Sequence, residues 1–198
     1  MSEFDPVFRF SAHSRAFLSR AREHLARFEM DDQVQNFFYA ALELRFGIEA
    51  RLNEYLAPAL KAIRKEPKAV PEYVATKLLN KLAEIDPTSE QLSTLRTTSE
   101  QTGNSFMAHY TPVSRRLAAI HGQLGEVLHY KFFVKNEHWL FRMPLGGNPH
   151  RSIPDFLVLL NEGVAELEKA TAGKLLGNPQ FTALVEEVLS EETNTEKG

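Results

Sequence analysis

Between Asp31 and Pro58 the apolar residues of this chain return at steps of three and four. Val34, Phe37, Phe38, Ala41, Ile48, Leu52, Tyr55 and Leu56 fall on one stripe, which predicts a long helix with one buried face. A stripe of that length must be covered by other elements, so the chain is restricted to architectures with an extended helical core. Asp31-Asp32 stands where the N-cap belongs, and Pro58 is placed to kink or end the helix.

The same spacing recurs on both sides. Ser11 reads as an N-cap for a first helix carrying Phe17, Ala21, Leu25 and Phe28, to about Met30. Pro71 opens a short helix through Val74, Leu78, Leu79 and Leu82, closed by Asp86-Pro87. Thr88 to Ser105 is polar and rich in Thr and Ser; a short helix near Ser89 to Leu95 followed by a loop at Gly103-Asn104 is the expectation. Thr111-Pro112 reads as cap and first residue of a helix with Val113, Leu117, Ile120, Leu124 and Leu128. Phe132-Phe133-Val134 and Trp139-Leu140-Phe141 flank Lys135-Asn136-Glu137 and predict a small β-hairpin over 132–143. Ser152 caps a helix with Asp155 at the capping-box position, carrying Phe156, Leu157, Leu160, Val164 and Leu167 and ending at Gly173. A last helix runs from about Asn178 to Leu189, before an acidic tail at about 190–198. The expected fold is mainly all-α, an antiparallel four- or five-helix bundle in one domain over 1–198, with its core at about 10–172.

Composition narrows the chemistry. With no cysteine, thiolate zinc sites, disulfides and cysteine nucleophiles are excluded. The 198 residues carry a net charge of -3. Five glutamates against one lysine lie beyond Val185, so the remainder is close to neutral. No run of apolar residues reaches membrane-spanning length and no signal segment is visible, which sets a cytoplasmic expectation without membrane. No Gly-rich phosphate loop, Gly-x-Ser-x-Gly elbow or aromatic RNA motif appears. No cofactor is expected.

The informative residues are polar ones on apolar faces. Arg45 points along the buried direction of the long helix, with Glu49 four residues on and able to pair with it. His121 lies between Leu117, Leu124 and Leu128 on the inward face of its helix. Arg115 and Arg116 occupy the first turns of that helix, where the macrodipole disfavours cations unless an anion is held there. These arginines read either as solvated side chains or as a phosphate-binding pair. Glu126 and His129 form a single Glu-x-x-His pair away from the buried stripe, so a metal site is not expected.

Arg116-Leu-Ala-Ala-Ile-His121 is an arginine, four residues, then a histidine, late in a helical chain. This resembles the catalytic signature of the HEPN superfamily, and the stretches Ser114–Tyr130 and Ala41–Leu56 resemble an uncharacterised bacterial branch of it. The resemblance implies a metal-independent ribonuclease acting as a homodimer, often a toxin or antiviral effector with an antitoxin or regulatory protein as partner. Arg116 and His121 would be catalytic, with His121 as general base or acid and Arg116 stabilising charge on the phosphorus oxygens. Arg45 and Glu49 would orient His121, and Arg115 would assist phosphate binding. Residues five apart on a helix differ by roughly 140° in direction, so a dimer would have to bring the two copies together. Leu117 follows the arginine where active members often carry a polar residue. A catalytically inactive helical module of the same fold, binding a nucleotide or a protein, is therefore the alternative.

Overall fold

A computed structural model describes residues 11–64, 74–99, 102–128 and 153–195. Within them lie six helices and one two-stranded sheet, in the order α1 (Ser14–Asp31), α2 (Val34–Ala62), α3 (Ala75–Ile85), β1 (Ser93–Thr98), β2 (Ser105–Tyr110), α4 (Arg115–Leu128), α5 (Ile153–Ala172) and α6 (Pro179–Thr195). The chain is mainly helical, as its periodicity predicts. The expected hairpin at 132–143, the Pro71 start, the Ser152 cap and His129 lie outside the described residues.

Helix α2 is the axis of the structure. Its stripe of Phe37, Ala41, Leu44, Ile48, Leu52, Tyr55 and Leu56 is almost fully buried, and α1, α3, α4 and α5 all pack against it. Each large side chain so buried contributes about 1.5–3 kcal/mol, which favours helix over coil more than any intrinsic propensity of the segment. Pro58 does not end α2. The helix continues to Ala62, because proline removes one N–H bond only a turn from the end. Gly47 marks the closest approach: a Cβ there would come within 2.7 Å of Leu167 Cδ2 and 3.2 Å of Phe17 Cβ. The crossing of α1, α2 and α5 is therefore set by a residue with no side chain.

Helix starts fall a few residues from where the sequence places them. His13, not Ser11, caps α1, its Nδ1 accepting from the Ala16 N–H at 3.2 Å. Asp32 adopts a left-handed backbone (φ 52) and ends α1, so Gln33 takes the N-cap position of α2. Ser114 rather than Thr111 caps α4, its Oγ accepting from Leu117 N–H at 3.0 Å. The Thr111 hydroxyl instead donates to the Ala170 carbonyl and accepts from Gly173 N–H. Helix α6 continues to Thr195, past the expected end at Leu189, and burial reaches Asn178 and Phe181, beyond the expected core boundary at 172.

The described sheet is a hairpin in the segment expected to be a short helix and a loop. Ser93 pairs with Tyr110, Leu95 with Ala108 and Thr97 with Phe106, antiparallel. Gly103 supplies the turn with a positive φ of 68°. Cross-strand bonds Thr94 Oγ1–His109 Nδ1 (2.9 Å) and Thr98 Oγ1–Ser105 Oγ (3.1 Å) use the polar residues that made the stretch look like loop. The base of the hairpin is anchored: Leu175 N–H donates to the His109 carbonyl at 3.1 Å, and Ser93 Oγ to Asn178 Oδ1 at 3.0 Å. Its far end is not covered. Phe106 is 51% and Met107 58% exposed.

Candidate functional site

His121 sits on the buried face of α4, flanked by Leu117, Leu124 and Ile120, and its side chain is 3% exposed. Its Nε2 lies 2.6 Å from Glu49 Oε1, on α2. Arg45 is one turn before Glu49 on α2, with Nη2 3.8 Å from Glu49 Oε1 and Nε 3.4 Å from His121 Nε2. One nitrogen cannot donate to Glu49 and accept from Arg45 in the same protonation state. The short bond fixes the proton between Nε2 and Glu49, and Arg45 is then a neighbouring cation rather than a donor to the ring. Gly125 leaves the room this needs: a Cβ there would come within 3.0 Å of Arg45 Nη1. Arg45 and Glu49 remain partly exposed, at 18% and 20%, so the cluster reaches from the core to the molecular surface.

The sequence places Arg45 on the inward stripe, and the structure puts it at the stripe's edge. The pairing of Arg45, Glu49 and His121 follows from three inward positions on two packed helices. Arg116 does not join them. Its guanidinium grips Glu162 on α5 through Nε at 2.6 Å and Nη2 at 2.5 Å, on the outer surface. The bond to Glu162 holds the guanidinium firmly charged, and the bond to Arg116 holds Glu162 below the usual carboxylate range. Arg115 points elsewhere again, ion-paired with Glu90. Within one chain, then, the arginine and the histidine of the motif face α5 and α2 respectively.

Arg116 lines an open surface groove of about 190 Å³ with Gln123, Asp155, Val158, Leu159 and Glu162. Two carboxylates against one guanidinium make that groove a poor seat for a phosphate. Displacing Glu162 itself is a small cost, since water and salt screen an exposed ion pair.

Elsewhere, His13 is a helix cap, and His24 Nδ1 lies 3.3 Å from Asn36 Oδ1. Glu126 is exposed. Among the described residues no group of three His, Asp or Glu side chains could hold a metal ion, and no helix is long and apolar enough to cross a membrane.

The most deeply buried Lys or Arg among the described residues is one that the apolar periodicity does not single out. Arg51, on α2, is 2% exposed. It donates through Nε to the Ala170 carbonyl (2.9 Å), through Nη1 to Glu54 Oε2 (3.0 Å) and through Nη2 to the Tyr55 hydroxyl. Tyr55 in turn donates to the Thr111 carbonyl, and burial raises its hydroxyl above the usual phenol range. The signal was present: Arg51, Glu54 and Tyr55 stand at i, i+3 and i+4, on one helix face. Asp86, which ends α3, is also buried, although its place in the sequence signals only a helix stop.

No family model, curated protein or solved structure matches this chain.

Proposed function

We propose that this chain is a catalytically silent helical module of HEPN-like type that works by protein association, with a second copy of itself as the partner. The observation that carries the reading is the separate commitment of the two motif residues. His121 is held by Glu49 in the interior and Arg116 by Glu162 outside, so one phosphodiester cannot touch both in a single chain. The exposed hairpin favours a protein partner over a nucleotide. A two-stranded ribbon is marginal by itself, and edge-to-edge pairing with the same ribbon of another copy would make four strands and give the exposed Phe106 and Met107 cross-strand neighbours, one on each face.

The ribonuclease reading keeps one observation in its favour. An imidazole, a carboxylate and a guanidinium lie within 3.8 Å of one another, and Arg45 and Glu49 touch solvent. In that reading Glu49 orients His121 to take a ribose 2′-OH proton, and Arg116 of a second copy neutralises the phosphorus oxygens.

One set of measurements separates the two. The purified full chain is incubated with single-stranded RNA in the presence of a chelator, beside a His121→Ala variant of matched thermal stability. Equal, background-level RNA integrity in both supports the silent module. Cleavage by the native chain that disappears in His121→Ala establishes the nuclease. Light scattering of the native chain and of Phe106→Glu tests the association: a native dimer that becomes monomeric supports the ribbon pairing, and a native monomer refutes it.

A further inference from the structure

We propose that the cavity beside Asp86 is a binding site for a primary alkylammonium group. The cavity, about 30 Å³, lies between α2, α3, the base of the hairpin and the start of α6. Tyr55, Leu82, Tyr110, Leu176 and Phe181 are among the residues that line it, and Asp86 is the one carboxylate among the described lining residues. Among the described residues, no lysine, arginine or histidine lines it.

Asp86 is 2% exposed. Its Oδ1 accepts from the Thr88 N–H at 2.8 Å and from the Thr88 hydroxyl at 2.6 Å, both neutral donors. A buried carboxylate without a cationic partner is costly unless it is neutralised or paired. In keeping with this, burial raises the Asp86 carboxyl above the usual aspartate range despite the Thr88 bonds.

The lining selects the kind of cation. Calcium takes six to eight oxygen ligands and magnesium a near-ideal octahedron, whereas this wall is mostly carbon and aromatic ring. An alkylammonium needs one carboxylate, a few neutral acceptors such as the Thr182 hydroxyl, and apolar or aromatic contact for its methylenes. Thirty cubic ångströms accommodates an ammonium head and little more. The alkyl chain leaves past Leu176 and Thr182, which are exposed at the rim. Free diamines and a lysine side chain in a peptide present the same head group.

The test titrates the full chain with methylammonium, putrescine and N-acetyl-lysine methylamide, each against sodium chloride of equal ionic strength, and follows Tyr110 and Phe181 resonances by NMR. Saturable shifts with at least one amine, weakened at least tenfold in Asp86→Asn, support the site. Comparing putrescine with the lysine derivative then distinguishes a free amine from a peptide side chain. Non-saturable shifts, or equal binding by Asp86→Asn, overturn it. Should Asp86→Asn misfold, Ala62→Phe fills the cavity from the α2 wall with the carboxylate intact, and amine binding that survives this substitution overturns the proposal as well.

Discussion

Arg51 Nε lies 2.9 Å from the Ala170 carbonyl oxygen, so a cation from the middle of α2 closes the last turn of α5. Helix C-termini expose carbonyls that have no partner within the helix, and a buried arginine there meets both the hydrogen-bond need and the negative end of the dipole. Replacing it with Met removes the charge, leaves Glu54 without its cation and takes one donor each from the Ala170 carbonyl and the Tyr55 hydroxyl, although the Thr111 hydroxyl and Ser14 still serve Ala170 and Glu54. Arg51→Met is expected to lose about 3–5 kcal/mol of stability, read from urea denaturation curves.

Gly173 follows α5 and packs against the strand-to-helix connection. A Cβ at this position would lie 2.6 Å from Thr111 Oγ1, 2.7 Å from the His109 carbonyl oxygen and 2.9 Å from Thr111 N. Two of these are backbone atoms, which cannot swing aside as a side chain end can. Gly173→Ala should destabilise by about 3 kcal/mol, whereas Gly122→Ala, which meets open space, should be neutral or slightly stabilising. Thermal denaturation of the two variants side by side checks the contrast.

Two acidic groups should tilt the pH dependence of stability in opposite directions. Burial tends to raise Glu54, but the Ser14 backbone and hydroxyl and the Arg51 guanidinium more than offset it, and its carboxyl titrates below the usual range. Its stabilising contribution is present above the ordinary glutamate pKa and disappears as the pH falls through the lower folded value. Asp86 is raised, so the unfolded chain gives up that proton first. Its contribution is full below the ordinary aspartate pKa and is lost as the pH climbs through the raised folded value. Glu54→Gln should therefore weaken the protein at neutral pH and Asp86→Asn should strengthen it. In acid both differences should shrink; midpoints measured across the acid range would reveal the opposite slopes.

The Glu49–His121 contact joins α2 to α4. A double-mutant cycle with Glu49→Ala and His121→Ala should give a coupling of about 1–2 kcal/mol, since each single change leaves a largely buried partner unsatisfied. A coupling near zero would mean that water replaces the lost partner without cost and that the contact does not fix the crossing of the two helices.

The helical scaffold was legible because its signal is repeated many times: each added apolar residue on the α2 stripe confirms the same face. The hairpin at Ser93–Tyr110 was not. Of its strand residues only Ser93, Ala108 and Tyr110 are buried, so three positions carried an alternation that a run of threonines concealed. Caps shifted for a related reason. Ser11, Asp31 and Thr111 are all competent caps, and the choice fell to tertiary demands such as the bonds Thr111 makes to Ala170 and Gly173. At the candidate site, Glu49 and His121 could be matched from their inward positions. The Arg116–Glu162 pair could not, because nothing in either local pattern identifies a surface partner on another helix. Arg51 was not legible because Arg45 stands nearer the direction of the apolar stripe, although Arg51 is the one surrounded by protein.

The end of α5 receives Arg15 from α1 at the Thr171 carbonyl and Arg51 from α2 at the Ala170 carbonyl. These acceptors are synthesised more than a hundred residues after the arginines that need them. A nascent chain emerging N-terminus first therefore holds two cations without their destined anchor while most of its length is already outside the ribosome. Closure of the first two helices onto their final neighbours has to wait for the stretch around Ala170 to arrive, and until then the sequence presents an unfinished surface to whatever else is in reach.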